Sequence, residues 1–201
     1  MPSDYATLQI RELPAVGGDT LWASAYEAYD RLSPALQKFL EGLTALHKGV
    51  GFLELKAATG LELRDKRGTP ENTGPELEAI HPVVRTNPVT GWKGIFVNRG
   101  FTQRIVELSK VESDALLNFL YETFTANHEL QVRFRWEKDS LAIWDNRSTQ
   151  HTATVDIPAG EIRDGTRSVS VGERPFFDPN SKSRRADLAE RAAAKPVAAA
   201  A

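Results

Sequence analysis

The sequence has no cysteine among its 201 residues. That excludes disulfides, thiolate metal sites and a cysteine nucleophile, so any metal must be held by imidazole and carboxylate. Such donors favour harder ions such as Fe(II) or Mn(II). A large excess of charge of one sign is also missing: 25 Lys and Arg stand against 27 Asp and Glu, for a formal net charge of -2. Without a basic field, neither nucleic acid nor an anionic membrane is expected as a partner. No apolar run reaches the roughly eighteen residues of a membrane span, and the start, MPSDYATLQIREL, lacks the basic-then-apolar order of a signal peptide. A cytoplasmic location is expected. There is no internal repeat and no G-x-S-x-G elbow, which argues against solenoids and against that class of hydrolase. Histidine is scarce, with four residues, His47, His81, His128 and His151, and none is followed two positions on by Asp or Glu.

What remains suits one globular domain. At 41% hydrophobic the chain can build a single sizeable core, expected over residues 1–178. Beyond it, residues 179–201 read as a flexible tail, basic and then Ala-rich. Tyr5 to Leu13 suits a strand with one wet face. Gly17, Gly18, Asp19 and Thr20 form a turn into the next element. A helix from about Ser24 to Leu32 is followed by a second, capped by Ser33 with Pro34 in its first turn. Between His47 and Ala79 the pattern dissolves into a long polar stretch broken by Gly and Pro, either a lid or disorder. His81–Thr86 and Gly94–Asn98 read as a hairpin joined through Asn87, Pro88 and Gly91. Ser109 with Glu112 makes a capping box for a helix with one apolar face. Gln131–Trp136 alternates strictly and is expected to turn through Glu137–Ser140 into a paired strand.

The stretch from Leu141 to Pro175 organises the rest. Leu141, Ile143 and Trp144 read as a buried strand, which W-D-N-R (Trp144 to Arg147) breaks into a polar turn. His151 follows and is expected to face the interior. After a Pro- and Gly-containing loop, Arg167 opens a strand that alternates Ser168, Val169, Ser170, Val171. Arg163 and Arg167 lie four apart, and two guanidinium forks near one imidazole suggest a site for anionic small molecules. The plainer alternatives are a hydrogen-bonded structural histidine and a solvated pair of arginines.

Several motifs in order carry a resemblance: G-G-D-T at Gly17–Thr20 with L-W-A-S after it, and H-P-V-V-R-T-N-P at His81–Pro88. F-V-N-R-G-F at Phe96–Phe101, W-D-N-R-x-x-x-H at Trp144–His151, and the arginines Arg163 and Arg167 complete the set. Together they resemble the taurine dioxygenase family of Fe(II)- and 2-oxoglutarate-dependent oxygenases. The run F-F-D-P-N-S-K-S-R-R at Phe176–Arg185 is similar to fungal sulfonate dioxygenase-like members. The resemblance implies a mainly β fold with flanking helices, a double-stranded β-helix or jelly roll. It implies His151 as the distal ligand of Fe(II), with Arg163 and Thr20 holding the far carboxylate of the cosubstrate 2-oxoglutarate. Arg167 would take the acidic head of a small anionic substrate and Phe101 would form an aromatic wall of its pocket. The implied reaction consumes dioxygen and hydroxylates an alkylsulfonate such as taurine beside sulfur, releasing sulfite. A homo-oligomer is compatible with it. The spacing from His151 to the arginines departs by one residue from the family form, which leaves Arg163 and Arg167 open to exchanging roles. The family's His-x-Asp or His-x-Glu motif is absent from the chain, and the expectation is of an N-terminally truncated sequence, inactive as given. The alternative is a non-catalytic anion-binding relative that does not hold iron.

Overall fold

A computed structural model describes residues 1–60, 62, 64–74 and 77–194. The strands are β1 (Ser3–Glu12), β2 (Thr20–Ser24), β3 (Thr44–Lys48), β4 (Glu78–Pro82), β5 (Val84–Thr86), β6 (Lys93–Ile95), β7 (Thr102–Ile105), β8 (Gln131–Phe134), β9 (Leu141–Asp145), β10 (Thr149–Ala153) and β11 (Asp164–Val171). The helices are α1 (Ala25–Asp30), α2 (Pro34–Leu40), α3 (Val50–Thr59), α4 (Lys110–Thr125) and α5 (Arg184–Ala193). Side-chain caps begin the helices where the sequence suggests. Ser24, Ser33 and Ser109 each accept from a backbone N–H of the first turn, and Glu112 closes the capping box at Ser109.

Two antiparallel sheets, ordered β11-β1-β9 and β10-β2-β8, oppose one another. Register fixes which side chains look inward, because directly paired residues share a face. In the first sheet Ala6 lies between Val169 and Trp144, and Leu8 lies between Arg167 and Ala142. In the second Trp22 lies between His151 and Val132, and Thr20 between Ala153 and Phe134. The rings of Trp22 and Trp144 meet across the gap at 5.4 Å, so these two faces enclose one interior. This is a jelly-roll arrangement. A third sheet, β4-β3-β7, and the β5–β6 hairpin lie beside it with the helices. The apolar core is there rather than between the opposed sheets. It joins Ala28 and Tyr29 of α1, Leu40 of α2 and Leu117, Leu120 and Phe124 of α4 to Ala45, Val84, Ile95 and Ile105. The sandwich interior is thereby left to indoles, an imidazole and arginines.

The structure corrects several expectations. Ile143 is 66% exposed and Leu141 is exposed, while the neighbouring Trp144 is 8% exposed. Adjacent residues of a strand point to opposite faces, so only one of Ile143 and Trp144 can be core. The β8 and β9 strands do not form a hairpin: β8 pairs with β2 and β9 with β1. The run His81–Thr86 is split at Val83, β4 joining β3 and β5 pairing with β6. Part of the polar stretch after His47 is helical, α3, whose side chains are not buried and which ends in left-handed Gly60. Of the tail expected to be flexible, the described part is anchored. Asp30 accepts from the Arg185 backbone N–H at 3.0 Å, Asp187 accepts from the Trp92 indole at 2.7 Å, and Ser181 bonds Thr86. Charge and hydrogen bonds rather than apolar area hold α5, and residues 195–201 of that tail lie outside the described residues.

Candidate functional site

Gly17 and Gly18 both take positive φ, 91° and 71°, a conformation an L side chain adopts only with strain. This tight turn starts β2 and brings Thr20, buried, to the interior. The Thr20 hydroxyl accepts from the Trp136 indole at 2.9 Å, leaving its own proton to donate elsewhere. Arg163 reaches the same corner. Its Nε donates to the Gly18 carbonyl at 2.8 Å and its guanidinium lies 6.0 Å from the Trp136 ring. Its Nη2 is buried without a partner among the described residues. A buried cationic N–H left unpaired costs free energy unless an acceptor arrives. Beside a free hydroxyl proton, this is the donor set of a carboxylate site.

His151 and Arg167 meet on the other side of the interior. His151 comes from β10 and Arg167 from β11 of the opposing sheet, and Arg167 Nη2 is 3.4 Å from His151 Nε2. Trp144 contacts both, its ring 5.0 Å from the imidazole and 5.5 Å from the guanidinium. Desolvation first, and the Arg167 charge second, lower the His151 pKa from its ordinary value. His151 as a residue stays exposed, and water softens that displacement. Between the two corners runs a row of indoles, with Trp22 6.4 Å from Trp136 and 5.4 Å from Trp144. Thr20, Arg163, His151 and Arg167 thus lie along one aromatic floor. Phe101 does not join them by contact. Its ring packs 5.9 Å from Phe52 of α3 and its amide donates to Asn98 Oδ1 at 2.8 Å.

The W-D-N-R turn explains how His151 is aimed. Arg147, buried, makes a two-point contact with Asp145, Nε to Oδ1 at 2.9 Å and Nη2 to Oδ2 at 3.0 Å. Glu173 accepts from Arg147 and from the fully buried Arg85. Asn146 accepts from the Trp144 indole at 2.7 Å and donates to Ser3 at 2.8 Å. The tetrad is therefore a packed junction between β9, β10, β5 and the end of β11, where the sequence reads only as a polar turn. The indole row is a second feature that sequence reasoning did not assemble. Its signal was there, since three of the four tryptophans fall at inward positions of strands or strand ends.

The fit to cofactors differs between the two corners. The Arg163–Thr20 corner fits the carboxylate of a small dianion. His151 offers one imidazole nitrogen, and among the described residues no group of three or more His, Asp or Glu side chains converges to hold a metal. His47 and His81 form a separate buried pair, 5.2 Å apart and gathered about the Phe96 ring. Desolvation lowers the pKa of each to about 4, and at His81 the neighbouring His47, the N-terminus, Arg85 and Arg174 act in the same direction.

Two opposed antiparallel sheets around this polar interior make a jelly roll of the cupin type. The chain belongs to the taurine catabolism dioxygenase TauD, TfdA family, whose model matches residues 1–169. It is 48% identical over 193 residues to the alpha-ketoglutarate-dependent dioxygenase btcD of Neocamarosporium betae, covering 92% of this chain and 56% of that protein. It is 40% identical over 177 residues to the alpha-ketoglutarate-dependent sulfonate dioxygenase of Saccharomyces cerevisiae, covering 88% of this chain and 41% of that protein. The crystal structure of a taurine dioxygenase from Burkholderia xenovorans superposes with a TM-score of 0.72 at 35% identity, covering 90% of this chain and 56% of that one. The chain thus spans about half the length of the relatives it matches.

Proposed function

We propose that this chain carries the cosubstrate and substrate sites of an Fe(II)- and 2-oxoglutarate-dependent dioxygenase acting on a small anionic substrate, an alkylsulfonate such as taurine. The observation that carries this reading is the buried, unpartnered Nη2 of Arg163 beside the Thr20 hydroxyl. Arg163 and Thr20 bind the far carboxylate of 2-oxoglutarate. The placement of Thr20 at the Arg163 corner supports that division of labour over the exchanged one. Arg167, on the His151 side, meets the sulfonate with a planar fork that matches two oxygens, and orients the carbon to be hydroxylated. His151 supplies one neutral imidazole ligand. Trp22, Trp136 and Trp144 keep bulk water from the floor, which strengthens every charge contact above it. When bound, iron with dioxygen would supply the oxidising chemistry, and hydroxylation next to sulfur would release sulfite.

One imidazole does not hold Fe(II) tightly, so the 201-residue chain by itself does not turn over. A second reading is an anion-binding relative that holds no iron. Both readings keep the Arg163 corner, and tryptophan fluorescence tests it because Trp136 lies beside it. Addition of 2-oxoglutarate should change the emission, and Arg163→Ala should abolish the response. An unchanged response in Arg163→Ala removes 2-oxoglutarate from this corner. Succinate formation by the chain with added Fe(II), lost on His151→Ala, would contradict its inactivity.

A further inference from the structure

The indole floor carries a donor that the roles proposed above leave unused. Trp22 Nε1 is buried with no hydrogen-bond partner among the described residues, as is Arg163 Nη2 at one end of the floor. An indole N–H can only donate, and a donor withdrawn from water without an acceptor costs free energy. The rings of Phe134, Trp136 and Trp144, 5.4 to 6.4 Å from that of Trp22, offer none. Position says which acceptor Trp22 and Arg163 can share. Thr20 and Trp22 are alternate residues of β2, so they face the same interior about 6.6 Å apart along the strand. Trp22 pairs with His151, so it stands toward that side of the floor and away from Arg163. An extended five-carbon diacid measures roughly 7 Å between its outermost oxygens, given C–C bonds of about 1.5 Å. With one carboxylate at Arg163 and Thr20, its other end lies over Trp22. A four-carbon diacid is shorter by about 1.3 Å, enough to take its second carboxylate out of hydrogen-bond range.

We infer that Trp22 is a specificity-determining residue: its Nε1–H donates to the second carboxylate of the bound dianion and so gauges the five-carbon length of 2-oxoglutarate. This rests on the placement proposed above for the far carboxylate at Arg163 and Thr20. The contact needs no metal ion. Trp22 as a residue is only half-buried, so a small turn about its side-chain bonds presents the N–H to a ligand without moving the strand.

The test labels the indole nitrogens of the full chain and follows its four tryptophan N–H signals, with no metal added. Trp22→Phe identifies the Trp22 signal. Both 2-oxoglutarate and glutarate should move it downfield, the direction of a hydrogen bond forming, while succinate and methanesulfonate leave it in place. Trp22→Phe should weaken 2-oxoglutarate and glutarate by roughly tenfold, the scale of one hydrogen bond to a charged acceptor, and leave succinate unchanged. The preference for five carbons over four then disappears, whereas a ring that merely packs the floor would weaken all three acids alike. If Trp22→Phe does not fold, as judged by its amide spectrum, the wild-type titrations decide alone, with the Trp22 signal assigned through its contact with Trp144. A Trp22 signal that 2-oxoglutarate leaves in place while that of Trp136 moves overturns the length gauge and leaves the Arg163 corner standing. So does a chain-length preference that survives Trp22→Phe, or a Trp22 signal that answers methanesulfonate instead. If 2-oxoglutarate moves neither the Trp136 nor the Trp22 signal, the gauge and the carboxylate corner fall together.

Discussion

The substitution Gly18→Ala tests whether the Gly17–Gly18 turn holds Arg163 in place. A Cβ built on Gly18 would lie 2.6 Å from Arg163 Cδ and 2.9 Å from its Nε, and the residue has φ +71°. The backbone conformation alone costs an alanine about 1–2 kcal/mol. The flexible arginine must also move, which breaks its Nε contact to the Gly18 carbonyl, a charge-assisted bond worth about 1.5–3 kcal/mol. Gly91→Ala is the matched control, since Gly91 has φ +70° with nothing near its Cβ position. Both variants share the gain from a stiffer unfolded chain, so it cancels in the comparison. Gly18→Ala should therefore be less stable than Gly91→Ala by about 2 kcal/mol in urea unfolding at unchanged m. In Arg163→Ala the added cost of Gly18→Ala should shrink to that of the control, a coupling that a double-mutant cycle reads directly. Equal losses at Gly18 and Gly91 would mean that Arg163 does not pack on the turn, and the carboxylate corner would lose its geometry.

Three further outcomes follow from the packing. Trp144→Ala removes a buried ring from the interior and should cost roughly 3–5 kcal/mol, whereas Ile143→Thr on the exposed face should stay within about 0.5 kcal/mol by thermal unfolding. A large loss at Ile143 would mean the strand faces the other way. His47 and His81 should make stability fall as pH falls. Their folded pKa is about 4 against the ordinary imidazole value of 6.5, so the unfolded chain takes up protons first and stability is lost between those values. Each contributes at most roughly 3 kcal/mol over that window, and His47→Phe with His81→Phe should flatten the profile there. An unchanged profile in the double variant would place the two imidazoles in water. Trp136→Phe should leave the Thr20 hydroxyl without its indole donor and weaken 2-oxoglutarate by several-fold with little change in fold, checked by fluorescence of the remaining tryptophans.

Much of the fold was legible because local signals and final structure agree. Ser33 followed by Pro34, and Ser109 with Glu112, are caps whose chemistry needs no partner from elsewhere in the chain. The inward alternation that places His151 beside Trp22 also follows from strand periodicity. Pairing was not legible. The β8 and β9 strands are close in sequence yet go to opposite sheets, a choice made by β1 and β2 more than a hundred residues away. The exposure of Ile143 shows the limit of reading hydrophobicity without phase, since an apolar residue on the outward face looks the same as a core one. The tail misled for a different reason: composition finds no apolar surface in α5, but Arg185 and Asp187 dock it through Asp30 and Trp92. In the candidate site, the sequence singles out Thr20, Arg163, His151 and Arg167 one at a time. It does not reveal the indole floor or the Arg85–Glu173–Arg147–Asp145 junction, because each gathers residues from distant segments.

The central claim is that the two arginines serve different anions, and titration of 2-oxoglutarate and of taurine into the chain and its two alanine variants tests it most directly. Arg163→Ala should weaken 2-oxoglutarate by roughly ten- to hundredfold, the value of a charge-assisted two-point contact, and leave taurine nearly unchanged. Arg167→Ala should do the reverse, and lysine at either position should recover only part of the affinity. If both alanine variants weaken the same ligand and spare the other, the assignment of Arg163 to the cosubstrate and Arg167 to the substrate is wrong.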